Sequence, residues 1–170
     1  MTTFIGVLAC VALAAGNAVP GADLSSEWQV TGEGAWQVVD GTPDILWQSR
    51  PEGASSALTR LPGRGGVWRC LVEPSPGVKA AGIWFGASAD LSRGFLLCLG
   101  SGDQQGVTLR DAAGRIIWQD KAMRWTYYTP YLLEGVVKRG RVRVTVYRWT
   151  GTALESQSDW LNIRSFLSGR

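Results

Sequence analysis

The stretch Arg141-Val-Arg-Val-Thr-Val-Tyr-Arg-Trp149 decides the fold class. Side chains of an extended chain point alternately to two faces, so Val142, Val144 and Val146 share one side. Arg143, Thr145, Tyr147 and Trp149 take the other. One apolar row backed by one polar and aromatic row is the pattern of a strand with a single buried face. The valines are expected in a core and the opposite row outside it.

Working outward, the same kind of run recurs along the chain. Upstream lie Glu27 to Val30, Ala35 to Val39, Asp44 to Gln48, Ala57 to Leu61, Val67 to Glu73, Ala80 to Phe85, Gly94 to Leu99, Gly106 to Arg110, Arg115 to Gln119 and Tyr131 to Val137. Turn residues punctuate them, and Asp111-Ala-Ala-Gly114 is a hairpin signal between two of the runs. A short strand at Ala153-Leu154 follows. So many strands in one chain predict two packed sheets, because a single open sheet would leave an apolar face in water. The expected architecture is all-β, a two-sheet antiparallel jelly-roll sandwich. Ser158-Asp159 reads as the cap of a short C-terminal helix carrying Trp160, Ile163 and Leu167 on one face.

The chain has 170 residues, 45% hydrophobic and 18% charged, with nine Trp and no His. That apolar content is sufficient for one domain without metal or disulfide staples. Missing histidine excludes Ser-His-Asp and Cys-His nucleophile systems and removes the commonest metal ligand. Catalysis would rest on carboxylates, Tyr, Lys or Arg. No cofactor motif is present, and no metal site is expected: Asp40, Asp44, Asp90 and Asp103 lie in turn-rich stretches without a dense ligand pattern.

Residues 1–18 form an apolar run ending in Gly16-Asn17-Ala18, read as a secretory signal cleaved near Ala18. Residues 19–170 then form the mature domain, secreted or periplasmic, with no transmembrane segment. Export would place Cys70 and Cys98 where disulfides are permitted. If Val67 to Val72, Gly82 to Phe85 and Phe95 to Leu99 form a sequential meander, the two cysteines are two strands, about 9 to 10 Å, apart. A disulfide needs Cα atoms within about 7 Å, so both are read as small buried hydrophobes.

The order Trp36-Gln-Val-Val-Asp-Gly41, Trp68 to Glu73, Ala81-Gly-Ile-Trp-Phe85, Gly94-Phe-Leu-Leu97 and Arg141 to Tyr147 resembles the concanavalin A-like lectin/glucanase superfamily, in particular its laminin-G-like and 3-keto-disaccharide hydrolase types. The likeness runs from Trp28 to Ser158. It implies a jelly roll of two antiparallel sheets whose concave face or rim binds glycans. The Glu-x-Asp-x-x-Glu strand of the glucanase branch is absent, so the resemblance assigns no catalytic residue.

Alternation nominates a ligand-binding row: Arg69 and Glu73 from one strand, Trp84 from the next, Arg143 and Tyr147 from the late one. Trp84 stands between Gly82 and Gly86, neighbours too small to cover its ring. An aromatic platform flanked by charged hydrogen-bonding groups suits a sugar. The same residues are equally those of a solvated sheet making cross-strand contacts. In Arg124-Trp-Thr-Tyr-Tyr-Thr-Pro-Tyr131, Trp125 and Tyr131 are read as plugging one end of the sandwich, with Tyr127 or Tyr128 left for contacts.

Positive charge concentrates late. Lys121, Arg124, Lys138, Arg139, Arg141, Arg143 and Arg148 face only Glu134 between residues 121 and 148. Such a cluster attracts polyanions or forms a solvated strand face. Nucleic acid is not the expected partner, since no binding motif is present. For a glycosidase, two carboxylates must flank the substrate, and no spacing singles out a pair among Glu73, Asp111, Asp120 and Glu134. Three functional readings follow: an exported carbohydrate-binding or general interaction module, a carboxylate-dependent glycoside hydrolase of the same fold, and a structural envelope protein.

Overall fold

The computed structural model describes residues 66–74, 80–88, 92–100, 105–149 and 153–163, together with the strand backbone of 5–8, 28–32, 36–39, 45–48 and 55–59. These residues are extended or in turns, with no helix among them. The strands are β1 (Ile5–Leu8), β2 (Trp28–Gly32), β3 (Trp36–Val39), β4 (Ile45–Gln48), β5 (Ser55–Thr59), β6 (Gly66–Val72) and β7 (Ala81–Ala87), followed by β8 (Phe95–Leu99), β9 (Gln105–Asp111), β10 (Ile116–Arg124), β11 (Tyr131–Lys138), β12 (Arg141–Arg148), β13 (Ala153–Gln157) and β14 (Leu161–Asn162).

One sheet has seven strands in the order β10-β9-β8-β7-β1-β5-β2, and a second has the order β13-β12-β11-β6, with β14 pairing β12 as its fifth strand. Every pairing is antiparallel. A separate hairpin joins β3 and β4. β1 falls inside the stretch read as a secretory signal, so the arrangement with β1 between β5 and β7 is that of the uncleaved chain. The two sheets make a β-sandwich.

The core forms where inward rows of the two sheets meet. Val142, Val144 and Val146 are fully buried, as the alternation of β12 requires. They join Cys70, Val72 and Leu133 of their own sheet and Ile83, Phe85, Phe95, Leu97, Leu99, Val107 and Leu109 of the other in one apolar cluster. Phe85 is the keystone. Its ring centroid lies 5.8 Å from that of Trp68 on β6 and 5.8 Å from that of Phe95 on β8. Directly opposite is Gly135 of β11, where a Cβ would come within 2.9 Å of Phe85 Cε1.

The hairpin signal Asp111 to Gly114 joins β9 to β10 as expected, with Gly114 at φ 79°. Asp111 Oδ1 accepts from the amides of Ala113 (3.0 Å) and Arg115 (2.9 Å), and Oδ2 accepts from Arg115 Nε at 2.6 Å. Burial alone would raise this carboxyl. The Arg115 guanidinium and the two amides outweigh burial and hold it below the ordinary carboxylate value.

β10 runs five residues beyond the expected Gln119, and its register against β9 shifts between Asp120 and Arg124. Gly106, at φ 81°, sits opposite this bulge. Asp120 Oδ1 accepts from the amides of Ala122 (2.9 Å) and Met123 (3.2 Å), while Oδ2 accepts from Ser156 Oγ at 2.6 Å. Because Ser156 belongs to β13, this carboxylate links the edges of the two sheets. The Ser156 hydroxyl, with the two amides, holds Asp120 below the ordinary value against the opposing effect of burial.

Two expectations are corrected. The meander of Val67 to Val72 with the next two runs does not form, because β6 pairs with β11 in the other sheet. Cys70 and Cys98 are nonetheless both buried thiols, separated by facing: Cys70 is in the core, and Cys98 is on the opposite face of β8 beside Thr108, 3.2 Å from its Oγ1. The C-terminal helix is replaced by a strand over the described residues. Ser158 donates its amide to Val144 O and accepts from Val144 N through Oγ, so the residue read as a helix cap instead continues the ladder with β12. Leu161 then pairs with Val142, and Ile163 is buried. Leu167 lies outside the described residues.

Candidate functional site

The outer face of the five-stranded sheet is built from four cross-strand rows. Register places Leu71, Leu132, Tyr147 and Leu154 in one row, and Arg69, Glu134, Thr145 and Gln157 in the next. A third row holds Val67, Val136 and Arg143, completed by Trp160, whose ring lies 5.0 Å from the Arg143 guanidinium carbon. The fourth pairs Lys138, Arg141 and Asn162. Trp149, two residues beyond Tyr147, continues the face at its apolar end.

This face is unusually apolar for one in contact with water. Among the described residues, the exposed large hydrophobics are Val67, Leu71, Ile116, Tyr128, Trp149, Leu154 and Trp160. Five of the seven, all except Ile116 and Tyr128, belong to it. Scattered exposed hydrophobics need no explanation, but a contiguous set marks a contact surface. The polar row divides it. Arg69 Nε donates to Glu134 Oε2 at 2.7 Å, and Gln157 Nε2 donates to Thr145 Oγ1 at 3.3 Å. One side is aromatic and aliphatic, the other cationic with a single indole.

Of the five residues nominated from sequence, Arg69, Glu73, Arg143 and Tyr147 fall on the strands of this sheet or at their ends. Trp84 does not. It lies on β7 in the seven-stranded sheet, half-buried, with Leu96 as its cross-strand partner. Its placement beside Arg69 presumed the meander that does not form. Trp149 and Trp160 also lie on this face and are not among the residues nominated from sequence. The alternation of β12 already puts Trp149 with Tyr147, whereas Trp160 is read from sequence as sharing one face of a short helix with Ile163 and Leu167.

Glu73 ends β6 next to the apolar row. Its Oε1 is buried without a hydrogen-bond partner, and burial raises its carboxyl above the ordinary glutamate value. A carboxyl that binds its proton more tightly when folded favours the folded state at low pH. That contribution is lost as pH rises through the folded-state pKa. Glu73→Gln is therefore expected to raise the urea midpoint at pH 7 and leave it unchanged at pH 3, measured by fluorescence unfolding. An equal shift at both pH values would mean that charge is not the cause.

The neighbouring turn behaves as its composition implies. Trp125 and Tyr131 are buried, the Tyr131 hydroxyl accepts from Thr126 N at 3.0 Å, and Tyr127 meets Trp125 edge-on at 5.6 Å. Tyr128 is exposed at φ 57°, a backbone region uncommon for a bulky residue, and its amide is held by Pro74 O.

The described residues contain no group of three His, Cys, Asp or Glu side chains fit to hold a metal, and no helix long and apolar enough to cross a membrane. Comparison with known proteins gives no match to a family model, to a curated sequence or to a solved structure.

Proposed function

We propose that the protein is an exported β-sandwich interaction module whose ligand is a glycan, bound on the outer face of the five-stranded sheet. The concanavalin A-like jelly roll is the proposed finer topology of its sandwich. The gathering of five exposed large hydrophobics on that face carries the reading, together with half-buried Tyr147. An indole and a phenol beside an ion-paired arginine offer stacking surfaces for sugar C–H faces and donors for hydroxyls. A hydrolase is less well supported. Glu73 and Glu134 are the acids on β11 and at the end of β6, and register sets them four residues apart along adjacent strands, roughly 13 Å of strand length. Glycosidase carboxylates stand about 5 to 9.5 Å apart.

Equilibrium binding to a panel of neutral and charged polysaccharides tests the module. Trp149→Ala and Tyr147→Ala are each expected to weaken binding about tenfold, the loss of roughly one stacking contact of 1 to 1.5 kcal/mol. Trp84→Ala serves as the discriminating variant. Binding lost with Trp84→Ala and kept with Trp149→Ala would move the ligand to the other sheet, and no binding to any glycan would leave a structural envelope role.

A further inference from the structure

We infer that the cationic end of this face, at the β11–β12 hairpin, is a subsite for carboxylate or sulfate groups, so that the ligand is an acidic polysaccharide. The inference rests on the glycan reading above and specifies its substrate class.

The hairpin turns through Arg139 and Gly140, at φ 51° and 74°. Two successive positive φ values are the mark of a type I′ turn, which matches the twist of its strands. The turn sets Lys138 directly across from Arg141. Ile163 N donates to Gly140 O, tying the β14 segment alongside and bringing Trp160 to Arg143. Lys138, Arg139, Arg141 and Trp160 line an open groove of about 460 Å³. That lies within the range of small-ligand sites, about 300 to 1,000 Å³.

Two local costs coincide at this tip. Like charges placed opposite each other across a strand pair destabilise it. None of Lys138, Arg139, Arg141 or Arg143 forms an ion pair among the described residues, whereas Arg69, Arg115 and Arg148 each have a carboxylate partner. The second cost is Arg139 in a conformation that glycine or asparagine adopts more readily. Arg143 stands behind the groove, its guanidinium carbon 5.0 Å from the centre of the Trp160 ring. Three cations lining one groove, with Arg143 behind it, and no ion pair to any of them among the described residues, are complementary to a polyanion.

The indole chooses among polyanions. A single ring in the cationic groove suits one sugar face between two acidic groups. A single-stranded nucleic acid stacks successive bases on a series of aromatics along a basic track, which this groove lacks. Asp159, next to Trp160 in the chain, makes no ion pair with the four cations among the described residues, and Glu134 is paired with Arg69.

The test compares dextran with dextran sulfate, which share a backbone, adds polygalacturonate, and includes phosphatidylglycerol vesicles and a single-stranded oligonucleotide as other anion sources. Dextran sulfate and polygalacturonate are expected to bind at least about tenfold more tightly than dextran, with affinity falling as salt rises. Arg141→Gln combined with Trp160→Ala should remove that preference. Arg139→Gly should weaken acidic binding about threefold while leaving Tm unchanged or raised, because glycine suits φ 51°. That variant keeps the result clear of misfolding. Arg124→Gln, a charge loss on the other sheet, should have no effect. Equal affinity for dextran and dextran sulfate, an equal loss in Arg124→Gln, or binding confined to vesicles or oligonucleotide would overturn the inference. Neutral glycan bound through Trp149 with no acidic preference would overturn it while sparing the module reading.

Discussion

Phe85→Ala is expected to destabilise the protein by about 3 to 5 kcal/mol, the range for deleting a fully buried aromatic ring. Phe85 is entirely buried and touches three elements at once: Trp68 on β6, Phe95 on β8 and the open backbone of Gly135 on β11. The converse change acts on the same contact. In Gly135→Ala, the new methyl would lie 2.9 Å from Cε1, 3.0 Å from Cζ and 3.1 Å from Cδ1 of Phe85. The ring has Trp68 and Phe95 against it, so it cannot withdraw, and overpacking of this kind costs about 1 to 3 kcal/mol. Phe85→Leu removes the ring atoms that the Gly135→Ala methyl would meet. The double variant should therefore lose less than the sum of the two singles, with a coupling of about 0.5 to 3 kcal/mol. Urea unfolding with unchanged m values reads these differences directly. Strict additivity would show that the sheets do not meet at this point.

Asp120→Ala is the second large loss, expected at about 2 to 3 kcal/mol. It strands the Ser156 hydroxyl and the amides of Ala122 and Met123, three donors that now share one carboxylate. Ser156→Ala removes only the link between sheets and should cost about 1 kcal/mol. The difference between the two separates the bulge from the clasp. Acid titration gives the sign. The folded-state pKa of Asp120 is held below its unfolded value, so its stabilisation is complete above the ordinary aspartate pKa of about 3.9 and disappears as pH falls through the folded value. Asp111 follows the same course. Wild-type stability should fall more steeply below about pH 4 than that of Asp120→Ala. Parallel acid profiles for the two proteins would count against the assignment.

Strand content and facing were readable because they are local properties. The alternation in Arg141 to Trp149 and the Asp111 to Gly114 turn each express their geometry within a few residues, and both form as read. Pairing partners are not local. β6 joins β11, with Arg69 opposite Glu134 some 65 positions away, and no short pattern around Val67 to Val72 distinguishes that partner from β7. Trp84 was set beside Arg69 for this reason. At the tail, Ser158-Asp159 carried a sound capping signal, but the open edge of β12 offered Val144 N and O to Ser158, and pairing prevailed over the cap. The proposed binding face is half visible in the sequence. Arg69, Glu73, Arg143 and Tyr147 follow from period-two alternation, while the exposure of Leu154 and Trp160 depends on how β13 and β14 return to β12.

The bulge in β10 also bears on how one molecule meets another. β10 ends the seven-stranded order, with β9 as its one partner among the described strands, and an unpaired flank of nine residues is a template for a second chain to extend the sheet. The register break after Asp120 interrupts that flank. Its carboxylate also takes up the Ala122 and Met123 amides inside the break. The outermost strand can therefore be long enough to cover the core while its flank is broken midway.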